Sequence, residues 1–484
     1  MTGGRKKLQS KGSIIISALF FLGSAVALAQ SGGTFTPTGS MTVTRSAYTA
    51  TLLPSGKVLI AGGYSPTSDL ASAELYDPAT GTFSATGDMT AGHSYHSATL
   101  LPNGEVLIAG GIGRSNGVPG SPPRVPNAEL YDPFTGTFSV TGDMVETTTQ
   151  SAAFLLASGK VLIAHDIDGL TPATAELYDP VTGTFSSTGN QVRSSGTQQG
   201  ALLADGRVLL VICCMLEQVY DPARGTFDST GVITNVYQDG FASALPAAGR
   251  FLVTGGFLEE MNSPSAGACV YDSVTGVFAA TGNMTTARYY HTATALGDGT
   301  VLIAGGEVSG HILLVTESAE LYDPATGAFS PTGDMTTARM NHTATLLLDG
   351  TVLIAGGGTA SAKIYHPAGP VSAPALFSTG GDAQGQGAIW HSSTGEIASA
   401  ADPAVAGEAL SMYTTSFVEG GAIPPQVAIA GRLGEILYFG DAPGYPGYYQ
   451  VNFRVPDGIS PGPAVSVRLT YLGRPSKEVT IAVQ

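Results

Sequence analysis

Short apolar segments recur along this chain at nearly regular intervals, and polar or glycine-containing turns separate them. The clearest segment is a run such as Val-Leu-Ile-Ala, usually followed by two glycines. Four consecutive apolar residues that end at glycine predict a short strand. The runs begin at Val58, Val106, Val161, Val208, Phe251, Val301 and Val352, and the third to fifth depart from the common sequence.

Three other elements repeat with the same period. A segment such as Thr-Ala-Thr-Leu-Leu precedes each run and is joined to it by a Ser-Gly, Asn-Gly or Asp-Gly turn, which is a strong hairpin signal. Tyr-Asp-Pro or a near variant follows each run and begins at Tyr76, Tyr131, Tyr178, Tyr220, Tyr271, Tyr322 and Tyr365. Gly-x-Phe-x-x-Thr-Gly begins at Gly33, Gly81, Gly136, Gly183, Gly225, Gly276 and Gly327, at intervals of 42 to 55 residues.

Each repeat therefore predicts four short antiparallel strands, which is one blade of a β-propeller. Seven copies predict an all-β, seven-bladed propeller. The order of elements also predicts how the ring closes, because the chain begins with a lone outer-strand element at Gly33 and leaves after a third-strand element at Tyr365. The first strand then completes the last blade and leaves no sheet edge open to aggregation.

The repeat resembles the Kelch family over residues 33 to 366, through strands that end in Gly-Gly, a spaced Tyr and an aromatic residue on the outer strand. Kelch repeats usually carry Trp at that outer position. This chain has Phe35, Phe83, Phe138, Phe185, Phe227, Phe278 and Phe329. The resemblance implies a Kelch-type propeller similar in architecture to that of galactose oxidase.

The repeat ends near Gly369, and a Pro- and Ala-rich stretch follows it. Strand-like runs separated by Gly and Pro turns then predict a β-sandwich at residues 370–484. This region resembles the immunoglobulin-like C-terminal module of secreted bacterial proteins, a family without an established activity. The resemblance rests on the segments that begin at Pro403 and Ile436 and on the terminal Val-Thr-Ile-Ala-Val-Gln.

The N-terminus has a basic start, an apolar stretch from Ile14 to Ala29 and small residues before Gln30, which predict a signal peptide at residues 1–29. The propeller is then expected at residues 30–369. A membrane anchor is the alternative, although the stretch is shorter than the ~20 residues that cross a bilayer. The mature protein is expected to be secreted, to the cell surface, periplasm or medium, with no membrane span.

Composition excludes one class of partner. The chain has 484 residues, 21 Lys and Arg against 37 Asp and Glu, and a net charge of −16. This charge repels polyphosphate, and no basic stripe offsets it, so nucleic acid is not an expected partner. The three cysteines cannot all pair with one another, and either a bridge from Cys213 or Cys214 to Cys269 or burial as small apolar residues fits them.

The connections between strands divide into two faces. Turns between strands one and two, and three and four, are tight and uniform, whereas connections between strands two and three vary widely, as at residues 112–127, 257–267 and 307–318. Alternation in an antiparallel sheet places the varied loops on the same face as the segments that lead into the inner strands. Irregular loops on a rigid scaffold are where binding usually occurs, so we expect the ligand on this face.

Two positions in the segments that lead into the inner strands supply candidate ligand-binding residues. Arginines and histidines there are concentrated in four neighbouring blades, where they could form a cationic pocket for an acidic or polyhydroxyl sugar. Inter-blade hydrogen bonding explains the same residues without a ligand. The candidates are Arg45, Tyr48, His93, His96, Arg288, His291, Arg339 and His342.

The favoured function is a secreted, non-catalytic binding protein that recognises an extracellular carbohydrate or protein, with no cofactor and no metal. The alternative is a carbohydrate-active enzyme, in particular a copper-radical oxidase similar to galactose oxidase. The resemblance to that enzyme implies a Cys cross-linked to Tyr, a second Tyr and two His around copper. No such set matches this sequence residue by residue, because Cys269 lies in a third strand and His391 is the single His of the predicted sandwich.

Overall fold

The structure is a computed structural model of the whole chain. It describes residues 32–113, 127–146, 150–166, 174–191, 199–203, 205–211, 217–231, 241–245, 249–258, 261–368, 375–380, 385–415, 425–442, 448–471 and 474–484. Within these ranges no helix has the length and apolar character needed to cross a membrane. The predicted signal peptide and the boundary near Gly369 lie outside the described residues and stay predictions.

Residues 34–366 form seven four-stranded antiparallel sheets in the described part of the chain. The first three blades follow chain order from the inner to the outer strand. Blade 1 has β2 Thr49–Leu52, β3 Val58–Ala61, β4 Ala73–Asp77 and β5 Thr82–Ala85. Blade 2 has β6 Ser97–Leu100, β7 Val106–Ala109, β8 Asn127–Asp132 and β9 Thr137–Asp143. Blade 3 has β10 Gln150–Leu155, β11 Val161–Asp166, β12 Ala175–Asp179 and β13 Thr184–Ser187.

The other four blades repeat this pattern, except that blade 5 also carries a small hairpin and blade 7 takes its outer strand from the start of the chain. Blade 4 has β14 Gln199–Leu202, β15 Val208–Val211, β16 Glu217–Asp221 and β17 Thr226–Gly231. Blade 5 has β18 Phe241–Ala244, β19 Arg250–Thr254, β22 Ala268–Asp272 and β23 Val277–Ala280, with a small hairpin of β20 Phe257–Leu258 and β21 Ser263–Pro264. Blade 6 has β24 Thr292–Ala295, β25 Val301–Ala304, β26 Ala319–Asp323 and β27 Ala328–Pro331. Blade 7 has β28 His342–Leu346, β29 Val352–Gly356, β30 Ser361–His366 and, from the start of the chain, β1 Thr34–Ser40.

The ring of blades is closed through its inner strands and through the outer strand of blade 7. Each inner strand contacts the inner strand of the next blade, and β28 contacts β2. β1 pairs antiparallel with β30, with Phe35 opposite Tyr365. The prediction that the first strand completes the last blade is therefore confirmed.

The second strand of each blade lies in the middle of its sheet, and neighbouring blades cover both its faces. The Val-Leu-Ile-Ala runs of β3, β7 and β25 are consequently buried at all four positions. This complete burial explains why these runs are uniformly apolar and do not alternate. The core of the propeller consists of such apolar clusters between adjacent blades.

The repeated Tyr, Phe and Thr-Gly positions join neighbouring blades at their outer edges. Tyr76 packs on Phe83 within blade 1, with ring centroids 4.8 Å apart, and an equivalent pair occurs in each of the other six blades. The Thr86 and Tyr131 hydroxyls lie 2.8 Å apart across the boundary of blades 1 and 2. The Gly87 amide donates to the Gly136 carbonyl beside them, at a distance that leaves no room for a side chain.

The C-terminal region forms two antiparallel sheets around one apolar cluster. One sheet has the order β31 Ile389–His391, β32 Ala409–Thr414, β36 Tyr449–Arg454 and β35 Ile436–Asp441. The other has the order β34 Arg432–Gly434, β33 Gln426–Ile429, β37 Gly462–Tyr471 and β38 Arg474–Pro475, with β39 Val479–Val483 paired to β37. The relation of this C-terminal region to immunoglobulin-like modules stays a prediction.

This C-terminal region contacts the tight-turn face of the propeller. The Arg432 guanidinium donates to the Asn103 carbonyl at 2.9 Å, in the turn between β6 and β7. It also lies 4.5 Å from the ring centroid of Phe134, in the turn between β8 and β9. These contacts lie on the face opposite to the varied loops.

Candidate binding face

The eight predicted site residues lie at two levels, and all eight are buried. The deeper level holds Arg45, Arg288, Arg339 and His93. The Arg288 guanidinium donates to the Gly305 and Ser318 carbonyls, the Ser318 hydroxyl and the Glu320 carboxylate, at 2.7 to 3.1 Å. Each of these side chains therefore connects the second and third strands of its own blade.

Acidic partners complete this level in blades 1, 2 and 6. Arg45 pairs with Glu74 at 3.0 Å, Arg288 with Glu320 at 2.8 Å, and His93 lies 3.4 Å from Glu129. The second carboxylate oxygen accepts a hydrogen bond from the backbone before the inner strand. In blade 1 the Thr42 amide donates to Glu74 at 2.8 Å. The sequence analysis did not single out these acids. Their signal was the Ala-Glu-Leu-Tyr-Asp repeat, which occurs in blades 1, 2, 3 and 6.

Blade 3 forms the same contact with a different residue. His165 occupies the position of the first glycine in the Gly-Gly pair, and its Nε2 lies 2.8 Å from the Glu176 carboxylate. Burial alone would raise the pKa of Glu176, but the hydrogen bonds from His165 and two backbone amides lower it. The buried carboxylate thus keeps a partner although the segment before β10 supplies no Arg or His.

The second level holds Tyr48, His96, His291 and His342, which join adjacent blades near the axis. The Tyr48 hydroxyl lies 2.9 Å from that of Thr343. The imidazoles of His96 and His342 lie 2.8 Å and 3.1 Å from the hydroxyls of Thr49 and Thr292 in the preceding blade. These are the inter-blade hydrogen bonds that the sequence left as an alternative, and ligand binding by these residues stays a prediction.

Burial sets the protonation of this level. It lowers the pKa values of His96 and His342 to about 3 and raises the pKa of Tyr48 to about 12. These side chains are therefore neutral at physiological pH, and the charge near the axis comes from the arginines. The corresponding positions Thr148, Ser195, Gln198, Tyr237 and Gly240 lie outside the described residues, whereas Ser151 lies 3.4 Å from Ser97 across the next boundary.

Between the two levels, one residue in each of four neighbouring blades turns outward. Ala47, Tyr95, Tyr290 and Asn341 directly precede the four residues of the second level, and their φ angles are 50° to 58°. The backbone amides of Tyr95 and Asn341 donate to the carbonyls of Ala47 and Tyr290 in the preceding blade. A left-handed conformation costs a non-glycine residue on the order of 1 kcal/mol. The hydrogen bonds between neighbouring blades therefore hold these residues in it.

Aromatic side chains border this ring of left-handed residues. Tyr64 of blade 1 stacks on Tyr95 of blade 2 with centroids 6.0 Å apart, and Phe257 of blade 5 lies 4.9 Å from Tyr289 of blade 6. Tyr95 is 40% exposed. We call Tyr64, Tyr95, Phe257, Tyr289 and Tyr290 the aromatic rim. Sequence analysis missed it because the selected residues were the immediate neighbours, whose side chains point inward.

The varied loops of blades 5 and 6 add an exposed apolar surface. The loop after β25 is an ordered hairpin, with a Glu307–Val315 bridge and a hydrogen bond from the Val308 amide to the Leu314 carbonyl. Its tip contacts the neighbouring loop through Asn262 and His311 at 3.1 Å. We call the exposed apolar residues of these two loops the apolar ridge: Met261 is 70% exposed, Ile312 67%, Leu313 70% and Leu314 49%.

The structure places two of the residues considered for a copper-radical centre. Cys269 is buried in the apolar cluster between blades 4 and 5, and Cys213 and Cys214 lie outside the described residues, so the predicted bridge stays a prediction. His391 lies in the C-terminal region, where its Nδ1 is 2.5 Å from the Glu408 carboxylate. Burial opposes protonation of His391, but Glu408 and Asp402 raise its pKa. In the part of the chain that the structure describes, no three His, Cys, Asp or Glu side chains group to hold a metal ion.

Comparisons with known proteins agree with the fold. The Kelch motif matches residues 45–90. A solved structure of a fungal alcohol oxidase of the AA5 family, in complex with copper, is similar with a TM-score of 0.61 and 17% identity, over 93% of this chain and 99% of that chain. The structure of YjhT is similar with a TM-score of 0.46 and 13% identity, over 60% of this chain and 98% of that chain. The comparison with curated proteins finds no match.

The fold and its repeated residues define an all-β propeller protein. The propeller is of the Kelch type, as the sequence predicted.

Proposed function

We propose that this protein is a secreted, non-catalytic binding protein that recognises an extracellular carbohydrate or protein through the varied-loop face of its propeller. The aromatic rim is the observation that carries the proposal. It combines one exposed and four partly exposed aromatic side chains with left-handed backbone at Tyr95 and Tyr290, and such strain concentrates at binding sites. The C-terminal region contacts the opposite face and leaves this one available.

Two ligand classes correspond to two parts of this face. Tyrosine rings on the aromatic rim provide flat apolar surface with a polar edge, which suits stacking against a sugar ring. The apolar ridge provides aliphatic surface, and burying one Leu or Ile side chain contributes about 1.5–3 kcal/mol, which suits a protein partner. The buried arginines are poor test positions, because removing Arg288 would leave the Glu320 carboxylate buried without its partner.

Glycan arrays and capture of extracellular proteins by the mature protein test the proposal. If the ligand is a carbohydrate, Tyr95→Ala should weaken binding about tenfold or more, and if it is a protein, Leu313→Ser should do so. Val274→Ser is the matched control, because Val274 is exposed on the tight-turn face. Retained affinity in both rim and ridge variants would contradict the assignment to this face.

The same preparation distinguishes the oxidase alternative. The similarity to the copper-containing fungal oxidase concerns the fold, because identity is 17%. Metal analysis and electron paramagnetic resonance of protein purified with added copper provide the test. Stoichiometric copper with a protein radical would select the oxidase and contradict a non-catalytic role.

A further inference from the structure

Blade 7 differs from the other blades in the charge of its deeper level. In blades 1 and 6 the third strand carries Glu74 and Glu320, which pair with a buried arginine. Blade 7 keeps the arginine, Arg339, but has Lys363 where those blades have glutamate. The register proves the equivalence, since Glu320 lies opposite Ile303 and Lys363 opposite Ile354.

The Arg339 guanidinium is consequently left with fewer acceptors than its counterpart in blade 6. Arg288 has an acceptor for each of its five N–H groups, including the Thr286 carbonyl at 3.4 Å and the Glu320 carboxylate. Arg339 donates to the Gly356 and Ser361 carbonyls and to the Ser361 hydroxyl. The contact that the missing glutamate removes is the second one at Nη2, because the carboxylates of Glu74 and Glu320 accept from Nη2 of their arginines, whereas Arg339 Nη2 has only the Ser361 hydroxyl among the described residues.

This arrangement is costly without a counter-charge. Arg339 is 0% exposed, and a buried cation without a partner costs several kcal/mol. Hydrogen bonds to neutral carbonyls and a hydroxyl offset part of that cost. The nearest equivalent cation, Arg288, has the full charge of Glu320 at 2.8 Å.

The backbone amides just before Arg339 also lack the carboxylate acceptor that their counterparts in blade 6 have. In blade 6 the Thr285 and Thr286 amides donate to the Glu320 carboxylate at 2.6 Å and 3.2 Å. The equivalent of Thr285 in blade 7 is Thr336, which is exposed and has a φ of 61°. By equivalence with Thr285, the position of the missing carboxylate lies next to this exposed residue.

We infer that blade 7 binds a small monovalent anion, such as a halide or formate, at the position where Glu320 places its carboxylate in blade 6. The Arg339 guanidinium supplies the charge and the N–H donors, and the Thr336 amide lies at the matching backbone position. Lys363 adds a second cation on the adjacent strand and supplies no carboxylate to compete. This inference is independent of the proposed function, because the anion stabilises the ring and is not the extracellular ligand.

Thermal unfolding of the mature protein tests the inference. At constant ionic strength, replacing gluconate with chloride, bromide or formate should raise Tm by about 2 °C or more. Lys363→Glu should remove this dependence and raise Tm in gluconate, because it restores the carboxylate in the chain. Lys363→Met is the matched control and should keep the dependence, since it removes a charge without adding an oxygen acceptor.

A structural measurement gives an independent result. Crystals grown with bromide should show an anomalous peak within hydrogen-bond distance of the Arg339 guanidinium, and crystals of Lys363→Glu should lack it. Absence of the peak in the wild type would overturn the inference. So would equal Tm values in gluconate and chloride, or a chloride effect that persists unchanged in Lys363→Glu.

Discussion

At the scale of single residues, each buried carboxylate of the deeper level in blades 1, 2, 3 and 6 has a basic partner. Blade 1 has Arg45 and Glu74, whereas the third strand of blade 5 has Cys269 at the position of the acid. Blade 3 keeps Glu176 and supplies His165 from another strand. The buried carboxylates of these blades each have a donor because an unpaired one is costly, whereas blade 7 keeps Arg339 without a carboxylate.

The pair in blade 6 gives a direct test of this coupling. Glu320→Ala should reduce the free energy of unfolding by about 3–5 kcal/mol, because it leaves Arg288 buried without a carboxylate and the Thr285 amide without an acceptor. Urea unfolding measures the change. Glu317→Ala, an exposed position just before the same strand, should change stability by less than about 0.5 kcal/mol. Equal effects of the two variants would contradict a structural role for the pair.

The neutral histidines near the axis predict a pH dependence. His342 has a pKa of about 3 in the folded protein, against about 6.5 when unfolded. The unfolded chain therefore binds one more proton between these values, so the contribution of this group is fully present above about pH 6.5 and is lost as pH falls toward 3.

Replacing this histidine should make stability less sensitive to acid. Below about pH 6, His342→Gln should reduce the dependence of the unfolding free energy on pH by about 1.4 kcal/mol per pH unit. Urea unfolding at several values between about pH 6 and about pH 5 measures it. An unchanged slope in His342→Gln would argue against a buried neutral ring.

At the scale of elements, closure depends on one strand. β1 supplies the outer strand of blade 7 and places Phe35 4.8 Å from Tyr365, so two segments 330 residues apart complete one sheet. The neighbouring blades have the same ring pair formed within a single repeat. Blade 7 is therefore the blade whose stability requires both ends of the array.

Removing this strand should prevent stable folding. Deletion of Thr34 to Thr38 leaves the β30 edge unpaired and exposes Tyr365, so we expect loss of the cooperative thermal transition and aggregation. Circular dichroism during heating measures this. Replacement of the same residues by a Gly-Ser linker of equal length shows whether the strand or only its length matters. A melting temperature equal to that of the wild type in either variant would refute closure by β1.

At the scale of the whole molecule, the C-terminal region and the varied loops use opposite faces of the propeller. Arg432 contacts Asn103 and Phe134, both in tight turns of blade 2. The uniform turns thus serve internal packing, whereas the longer loops carry the aromatic rim and the apolar ridge. This division explains why loop length varies on one face and not on the other.

The Arg432 contact can be tested by hydrogen exchange. Arg432→Ala removes a charged hydrogen bond and a cation–π contact, together about 2 kcal/mol, so amides at Leu101 to Glu105 should exchange faster. Arg454→Ala is the matched control, because Arg454 forms an exposed ion pair with Glu435 within the C-terminal region. Unchanged exchange at this turn in Arg432→Ala would contradict the contact.

The sequence by itself determined the repeated architecture. Glycine-ended apolar runs, hairpin dipeptides and the spacing of Tyr and Phe specify four strands within about 50 residues, so they depend on local patterning. The offset between Gly33 and Tyr365 also determined how the ring closes, because the order of elements alone leaves one strand unmatched at each end. The face of the varied loops followed from the alternation of antiparallel strands.

Only the tertiary structure decided which residues of that face are accessible. Arg288 and His291 flank Tyr290 in the sequence. The two are buried, whereas Tyr290, whose backbone is left-handed, is partly exposed. That conformation depends on hydrogen bonds between blades, which a local pattern does not contain. The contact of Arg432 with Phe134 joins residues that are distant in sequence, so the folded chain alone brings them together.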